Sequence, residues 1–520
     1  MNADTGHVVR SNTGNILVSA NRNTASTVYY PRDLAETCQP TLLEGQFCMA
    51  QDISKIPNDW EIDNLGDWFL GSHARLPVYR LLGSDGVYIG WLVGYPIRQG
   101  RIIWDRVITL NSISTDVDKE IDELHYDLTG SFAMFIVAEN STRIILDAAG
   151  SLSVVYSKRQ KIVASSPALV PYENGTEDNT ELIELFGIPQ KNNWFPFGLT
   201  PRNGVFRLLP NHSLNLSSFA VTRNWPKAGV KIVTDSYDAV VEISSLLEDL
   251  LSAIAYDYNP WLSLTAGMDS RVLLACARRM GIGIQCFTVD FDDPLSNLDC
   301  KISSEIAKRF GLRHEVISFD DASDQELRLW MYRIGCSANA VRAWYGQRAF
   351  AKLGVEQPHV MGVGAEVASG IYWRSTVPKS SKFSAKEIVD RLRLPCSPRI
   401  INAASEWLNG VSGYNTYTIL DLLYIEQRIG CWASVVNTYA NPYGGKFTLF
   451  GFAGRRLYDL FLSLPPEYRA SNRLPFDLIK LNSPDLMTLP FNRRNTFINR
   501  TKTRIKESKL YALLGRRITK

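Results

Sequence analysis

The chain has 520 residues, 45% of them hydrophobic and 21% charged, and a formal net charge of +3. That length exceeds what one hydrophobic core organises, so two or three domains are expected. A charge so near balance argues against a nucleic-acid partner, and the absence of an apolar run of about 18 residues argues against an integral membrane segment.

The first residues, MNADTGHVVRSNTGN, are polar and lack the apolar stretch of a signal peptide. Asn, Thr and Ser remain frequent to about residue 60, so residues 1–60 are expected to form a loosely ordered leader. Residues 61–230 read as short strands: PVYRLL, GVYIGWLVGY, SFAMFIVA, RIILDA, LSVVYS and KIVASS. Turn formers such as Gly83-Ser84-Asp85-Gly86 and Glu139-Asn140-Ser141 separate them. A mostly antiparallel β-sandwich is predicted, with a helix near residues 180–186.

Residues 231–495 change period. In SYDAVVEISSLLEDLLSAIAYDY, Val240, Val241, Ile243, Leu246, Leu247, Leu250 and Leu251 fall at helical spacing. Strand 261–265, helix 270–279, strand 284–289, helix 298–310 and strand 314–319 follow, an alternation that predicts a parallel α/β sheet. Beyond about residue 320 the pattern is mainly helical. Residues 496–520 form a basic tail; from Arg493 to Lys520 ten Lys or Arg residues accompany one acid, Glu507. Such a tail is either solvated or meets an anionic partner. The eight cysteines show no C-x-x-C spacing and read as buried reduced thiols, which predicts a cytoplasmic location.

The stretch WLSLTAGMDSRVLL, residues 261–274, sets small residues, an acid and a hydroxyl between a strand and a helix. The carboxyl edge of a parallel sheet is where ligands bind in open α/β folds. Gly267 is expected to permit a sharp turn and Ser270 to cap the helix. Helix-start N–H groups attract anions such as phosphate. Asp269 would repel a bare phosphate, so its presence asks for a metal such as Mg²⁺ that shares its shell with phosphate oxygens. A capped helix with an incidental acid accounts for the same residues. The spacing differs from the G-x-x-x-x-G-K-[ST] phosphate loop.

LTAGMDSR resembles the SGGxDS pyrophosphate loop of the asparagine synthetase family and other ATP pyrophosphatases. Thr265 stands at the family's Ser and Ala266 at its first Gly, while Gly267, Asp269 and Ser270 match. CFTVDFDD, with Thr288, resembles the strand whose end cradles adenine. NLDCKISSEIAKRFGLRHEVISF resembles the next helix and strand, with Asp299, Ala307, Gly311 and His314 at familiar offsets. GVGAEVASGIYWR, residues 362–374, resembles the segment G-x-G-a-D-E-l-f-g-G-Y, with Glu366 for its Asp and Val367 for its Glu. GSFAMFIVAENSTRIILDAAGSLSVVYS, residues 130–157, resembles the family's glutaminase half, and FAGRRLYDLFLSLPPEYR its late helical segment. The likeness spans roughly residues 66–495.

The resemblance implies an Ntn-hydrolase-like β domain followed by an adenine-nucleotide-hydrolase-like α/β domain with a helical C-terminal part. It implies ATP held by Leu264, Thr265, Ala266, Gly267, Asp269, Ser270, Thr288, Gly362 and Gly364, and Mg²⁺ held by Asp269 and Glu366. The family also uses a late basic residue, for which Lys480, Arg493, Arg494 and Lys502 are candidates; Lys480 is expected to be catalytic beside Asp269 and Glu366. The glutaminase half normally begins with a cysteine whose α-amine is freed by loss of Met1. Here residue 2 is Asn2, and Cys38 and Cys48 are internal, so this half is expected to keep a fold without hydrolysing glutamine.

The implied activity is an ATP-dependent amide-forming ligase. A carboxylate attacks the α-phosphorus of ATP, an acyl-adenylate forms with release of pyrophosphate, and an amine then displaces AMP. The acid partner is an amino acid, a peptide or a sugar acid. The amine is ammonia, from solution or a separate source, or an amine of the substrate. Lasso-peptide cyclases and β-lactam synthetase are similar in plan. A non-catalytic binding or regulatory protein on a decayed synthetase scaffold is the alternative, suggested by Asn2, Ala266 and Val367. A thiouridine-forming tRNA enzyme shares the ATP loop but needs a reactive cysteine and a strongly basic face.

Overall fold

The computed structural model describes residues 28–39, 42–227, 229–318, 323–339, 350–354, 356–375, 382–438 and 445–491. The expected basic tail, residues 496–520, lies outside them, as do Arg493, Arg494, Lys502 and the first 27 residues of the expected leader.

Two largely antiparallel sheets form the N-terminal half. The first runs Phe206–Arg207, Val155–Ser157, Ile162–Ala164, Phe47–Ala50, Trp68–Ser72, Glu61–Leu65. The second runs Val221–Arg223, His212–Asn215, Ser141–Leu146, Thr129–Ala138, Tyr88–Arg98, Val78–Leu82, Val107–Thr109. Strand alternation sorts the side chains by face. Phe47 and Met49 meet Trp91, Val93, Ala133 and Phe135 between the sheets. Phe132, Met134 and Ile136 turn outward against Ile121 and Leu124 of helix Asp118–Asp127. Cys48, Ala50 and Ala164 share a core with Leu182 and Phe186 of helix Thr180–Phe186. The order of layers is helix, sheet, sheet, helix.

The leader expected over residues 1–60 extends too far. Phe47–Ala50 is a central strand, paired on both sides and buried at all four positions. Helix Pro31–Thr37 precedes it. A four-residue strand between Gln46 and Gln51 carries too little periodicity to be read. Gln46 is itself buried, donating to Arg333 O and accepting from the Ser165 hydroxyl.

Helix Ser236–Asp257 opens the second half, with Asp235 accepting from the Tyr237 N–H and Val240, Ile243, Leu247, Leu250 and Leu251 buried. A five-stranded parallel sheet follows, ordered His314–Ser318, Gln285–Asp290, Trp261–Ser263, His359–Met361, Thr448–Phe450. The chain visits it from the centre outward to one side, then returns to build the other. The direction of winding therefore reverses between Trp261–Ser263 and His359–Met361, and the loops beyond such a reversal form the ligand crevice of open α/β sheets. The last two strands lie in the stretch that reads as mainly helical, and each has only three residues.

One core runs through both halves. Tyr95 stacks on Phe447 with ring centroids 3.9 Å apart. Arg223 pairs with the buried Glu426, which also accepts from Asn211 and Trp407. All eight cysteines are unpaired; five are buried, Cys38 and Cys300 are half-buried, and Cys396 is exposed, which corrects the expectation of eight buried thiols. Among the described residues no helix is long and apolar enough to cross a membrane.

Candidate functional site

Leu264 extends the central strand, its N–H bonded to Phe287 O at 2.9 Å. The loop beyond it is held by short side chains. The Thr265 N–H donates to Ser270 Oγ at 3.1 Å, and the Gly267 N–H to Thr265 Oγ1 at 3.1 Å. The Ala266 N–H donates to Asp299 Oδ1 at 2.9 Å. Ala266 is fully buried, and its methyl joins the apolar core rather than the mouth of the loop.

One expectation is corrected here. Helix Asp269–Arg279 has Met268 at its N-cap and no side-chain cap, because the Ser270 hydroxyl is engaged by Thr265. The backbone does bend at residues 266–268, without Gly267 entering the left-handed region; a Cβ there would meet only Thr265 Oγ1, at 3.0 Å.

The second loop follows strand His359–Met361, and its two glycines do different jobs. A Cβ at Gly362 would lie 3.1 Å from Asp269 Cβ and 3.3 Å from the Ser270 nitrogen, so this glycine lets the loops touch. Gly364 has φ +102°, and a Cβ there would meet Phe452 O at 2.9 Å. The turn delivers Glu366, on the short helix Ala365–Ala368, beside Asp269.

Both carboxyls are pushed up from the ordinary carboxylate range, Asp269 to about 8. For Asp269, burial is the larger cause and the charge of Glu366 the second, with Arg374 opposing. For Glu366, burial again dominates, opposed by its own and Gly364's backbone N–H groups, by Arg428 and by the Tyr424 hydroxyl. Glu366 Oε2 is buried without a hydrogen-bond partner. Tyr424 and Arg428 sit on a ten-residue π-helix, Tyr424–Ala433, a widened turn often found at functional sites. Behind Glu366, the Val367 carbonyl accepts from Arg469 at 2.6 Å. Arg469 in turn pairs with buried Asp421 at 2.7 Å, and Asp421 accepts from Trp373 Nε1 at 2.9 Å.

The structure thus brings Leu264, Thr265, Ala266, Gly267, Asp269, Ser270, Gly362, Gly364 and Glu366 to the reversal of the sheet. Thr288 is 2% exposed, and its hydroxyl lies within hydrogen-bond distance of Leu264 O, Ser303 Oγ and His314 Nε2. Its side chain ties the second strand to the loop and is not free to reach a ligand. Lys480 is not among the groups whose charge acts on Asp269 or Glu366. It is exposed on helix Leu474–Asn482, whose buried residues Leu474, Leu478 and Ile479 face inward. Helical spacing turns position 480 to solvent.

Arg374, Arg428 and Tyr424 were not singled out from the sequence. The i, i+4 spacing of Tyr424 and Arg428 lies in a stretch read only for its apolar period. Arg271, the last residue of LTAGMDSR, is a buried anchor. It donates to Leu489 O at 3.0 Å and Pro490 O at 2.8 Å and covers the Phe491 ring at 4.0 Å.

Two converging carboxylates, one with an unpartnered buried oxygen, fit a divalent cation. No third His, Cys, Asp or Glu completes a metal-binding group among the described residues. A cation there would take its remaining ligands from water or a bound anion, as Mg²⁺ commonly does.

The chain matches no protein-family model, and no curated protein matches it in sequence.

In the N-terminal half, Cys48 is in the middle of a sheet and burial pushes its thiol up to about 12. Such a thiol is inert as a nucleophile at neutral pH. Asp147 is also buried and accepts from the N–H groups of Phe132, Ala149 and Ser151 and from the Ser151 hydroxyl. It clamps the turn after strand Ser141–Leu146.

Proposed function

We propose that the chain is an ATP-dependent amide-forming ligase of the asparagine synthetase type, which adenylates a substrate carboxylate and passes the acyl group to an amine. The observation that carries this reading is the meeting of Asp269 and Glu366 at the reversal of the parallel sheet, with Glu366 Oε2 unpartnered. ATP supplies the leaving group, pyrophosphate, that a free carboxylate lacks; bound Mg²⁺ would neutralise phosphate charge. Asp269 and Glu366 would hold that Mg²⁺ in their deprotonated forms. The uncapped start of helix Asp269–Arg279 presents its dipole to the phosphates. Arg374, whose charge reaches Asp269, and Arg428, whose charge reaches Glu366, supply positive potential beside the two carboxylates.

The layer order and parallel sheet support the Ntn-hydrolase-like and nucleotide-hydrolase-like expectations. The buried Cys48 supports a first half that acts as a scaffold, leaving ammonia or a substrate amine as acceptor. ATP–pyrophosphate exchange, scored against a panel of amino acids, peptides and sugar acids, tests the reading. Exchange above background with at least one acid, abolished by Asp269→Asn, is expected. Full exchange in that variant would remove Asp269 from the metal site.

One observation favours the non-catalytic alternative: the N–H groups of Thr265, Ala266 and Gly267 are all engaged within the protein. A phosphate cradle made of those groups would first have to release them. Calorimetry with ATP separates the readings, because the ligase requires Mg²⁺-dependent binding and the scaffold shows none.

A further inference from the structure

Most of the π-helix Tyr424–Ala433 is buried, but Tyr424, Arg428 and Trp432, at every fourth position, are only half-buried. That spacing sets them on one face of the helix. The face begins beside the carboxylate pair, because the Tyr424 hydroxyl and the Arg428 charge both act on Glu366. Tyr372, also half-buried, extends it, its ring edge-on to that of Tyr424 with centroids 5.3 Å apart.

Arg428 is held by the faces of its guanidinium. The central carbon lies 3.7 Å from the centroid of the Trp432 ring and 4.7 Å from that of Trp194. Both rings are themselves fixed. Trp432 Nε1 donates to Asn339 O at 2.8 Å, and Trp194 pairs with Ala338 across a single antiparallel bridge. Stacking of this kind positions the cation without using its in-plane donors. Among the described residues the guanidinium makes no hydrogen bond and no ion pair, and none of its nitrogens is a buried unpartnered atom. Its donors are therefore open to solvent. Glu366, whose carboxyl feels this charge, does not take them up. Its Oε2 is buried without a partner, and burial pushes the group towards its protonated form. Two groups of opposite sign approach on one face without meeting. A cation against Glu366 and an anion against Arg428 would complete both.

We propose that this face receives the acid substrate and that Arg428 selects acids carrying a second carboxylate besides the one that is adenylated. This rests on the ligase reading given above. The guanidinium fork matches the two oxygens of a carboxylate, and the Tyr424 ring lies alongside the chain joining the two acid groups. An acid without the second charge would cover the guanidinium and leave it unpaired, which is how a polar site rejects an analogue.

The test is ATP–pyrophosphate exchange with matched acids, such as glutarate against valerate and glutamate against norvaline. The diacid is expected to have a kcat/KM at least about tenfold higher, as one charge-assisted pair implies. Arg428→Gln should raise KM for the diacid at least about tenfold and KM for ATP less than about twofold. Arg428→Lys, which keeps the charge and loses the fork, should raise KM for the diacid by a smaller factor, and decides the matter if Arg428→Gln does not fold. Equal use of the monoacid, an unchanged KM for the diacid in the variant that folds, or a KM rise confined to ATP would each overturn the proposal and leave the ligase reading standing. If no acid supports exchange, the ligase reading fails by itself, and calorimetry with glutarate in nucleotide-free buffer decides whether Arg428 docks a carboxylate. Binding by the parent chain that the Arg428 variant weakens supports the contact; no binding at about 10 mM, or equal binding by the variant, overturns it.

Discussion

A methyl group at position 362 would stand 3.1 Å from Asp269 Cβ, closer than ordinary side-chain contact. Gly362→Ala is therefore expected to push apart the two loops that hold the carboxylates. Overpacking of this kind costs about 1–3 kcal/mol, and Mg²⁺-dependent ATP binding by calorimetry should fall more than stability does. The carboxylates themselves set a pH dependence. Both have raised folded pKa values, so the folded chain holds protons that the unfolded chain releases. Their contribution to stability is complete below the unfolded carboxylate values near 4 and is lost as pH rises through the raised folded values. The metal-free protein should lose Tm steadily as pH rises from about 4 to about 8 through Asp269, with Glu366 adding a loss of the same sign. Asp269→Asn should lose less, while also abolishing pyrophosphate exchange. Mg²⁺ binding should release protons below the raised pKa values, seen as a calorimetric heat that changes with the ionisation enthalpy of the buffer. A heat independent of buffer would rule out this pair as the metal ligands.

Behind these side chains, the short helix carrying Glu366 is too small to hold itself in place. Its support comes from Arg469, which reaches the Val367 carbonyl and pairs with Asp421, both ions being almost fully buried. Asp421→Ala leaves an uncompensated buried guanidinium and should cost about 3–5 kcal/mol. The paired change to Asp421→Leu and Arg469→Met should cost less than Asp421→Ala alone, measured by urea unfolding. The π-helix depends on a glycine in a different way: a Cβ at Gly430 would come 2.4 Å from Pro210 of the other half. Most elements with a run of five or more alternating or helically spaced apolar residues were legible in the sequence. The expected helix near 180–186 is Thr180–Phe186, and the strand expected at 284–289 is Gln285–Asp290. The strands His359–Met361, Thr448–Phe450 and Phe47–Ala50 were not, because three or four residues carry no measurable period.

The two halves are not separate bodies joined by a linker. Their common core, the Arg223–Glu426 pair and the Tyr95–Phe447 stack make each half part of the other's interior. Residues 231–491 produced alone should therefore be insoluble or readily proteolysed, and co-production with residues 28–230 should restore a protected complex. A stable, monomeric C-terminal fragment would show the β half to be dispensable for folding. Under the proposed ligase activity, Cys48→Ala, in contrast, should leave amide formation from ammonia unchanged, since a thiol held near 12 takes no part.

The sequence alone determined the class of each half and the acid-bearing loop, because apolar period and local residue chemistry are short-range properties. It also placed Gly362, Gly364 and Glu366 in a second loop about 95 residues away. Only the tertiary structure decided that the two loops meet. That depends on a three-residue strand lying next to the central one, and on Gly362 admitting Asp269. It also brought Arg374, Tyr424 and Arg428 within electrostatic reach of the carboxylates and left Lys480 exposed on its helix. Which charges share a buried site is a matter of long-range packing, and packing across a sheet leaves no period along the chain.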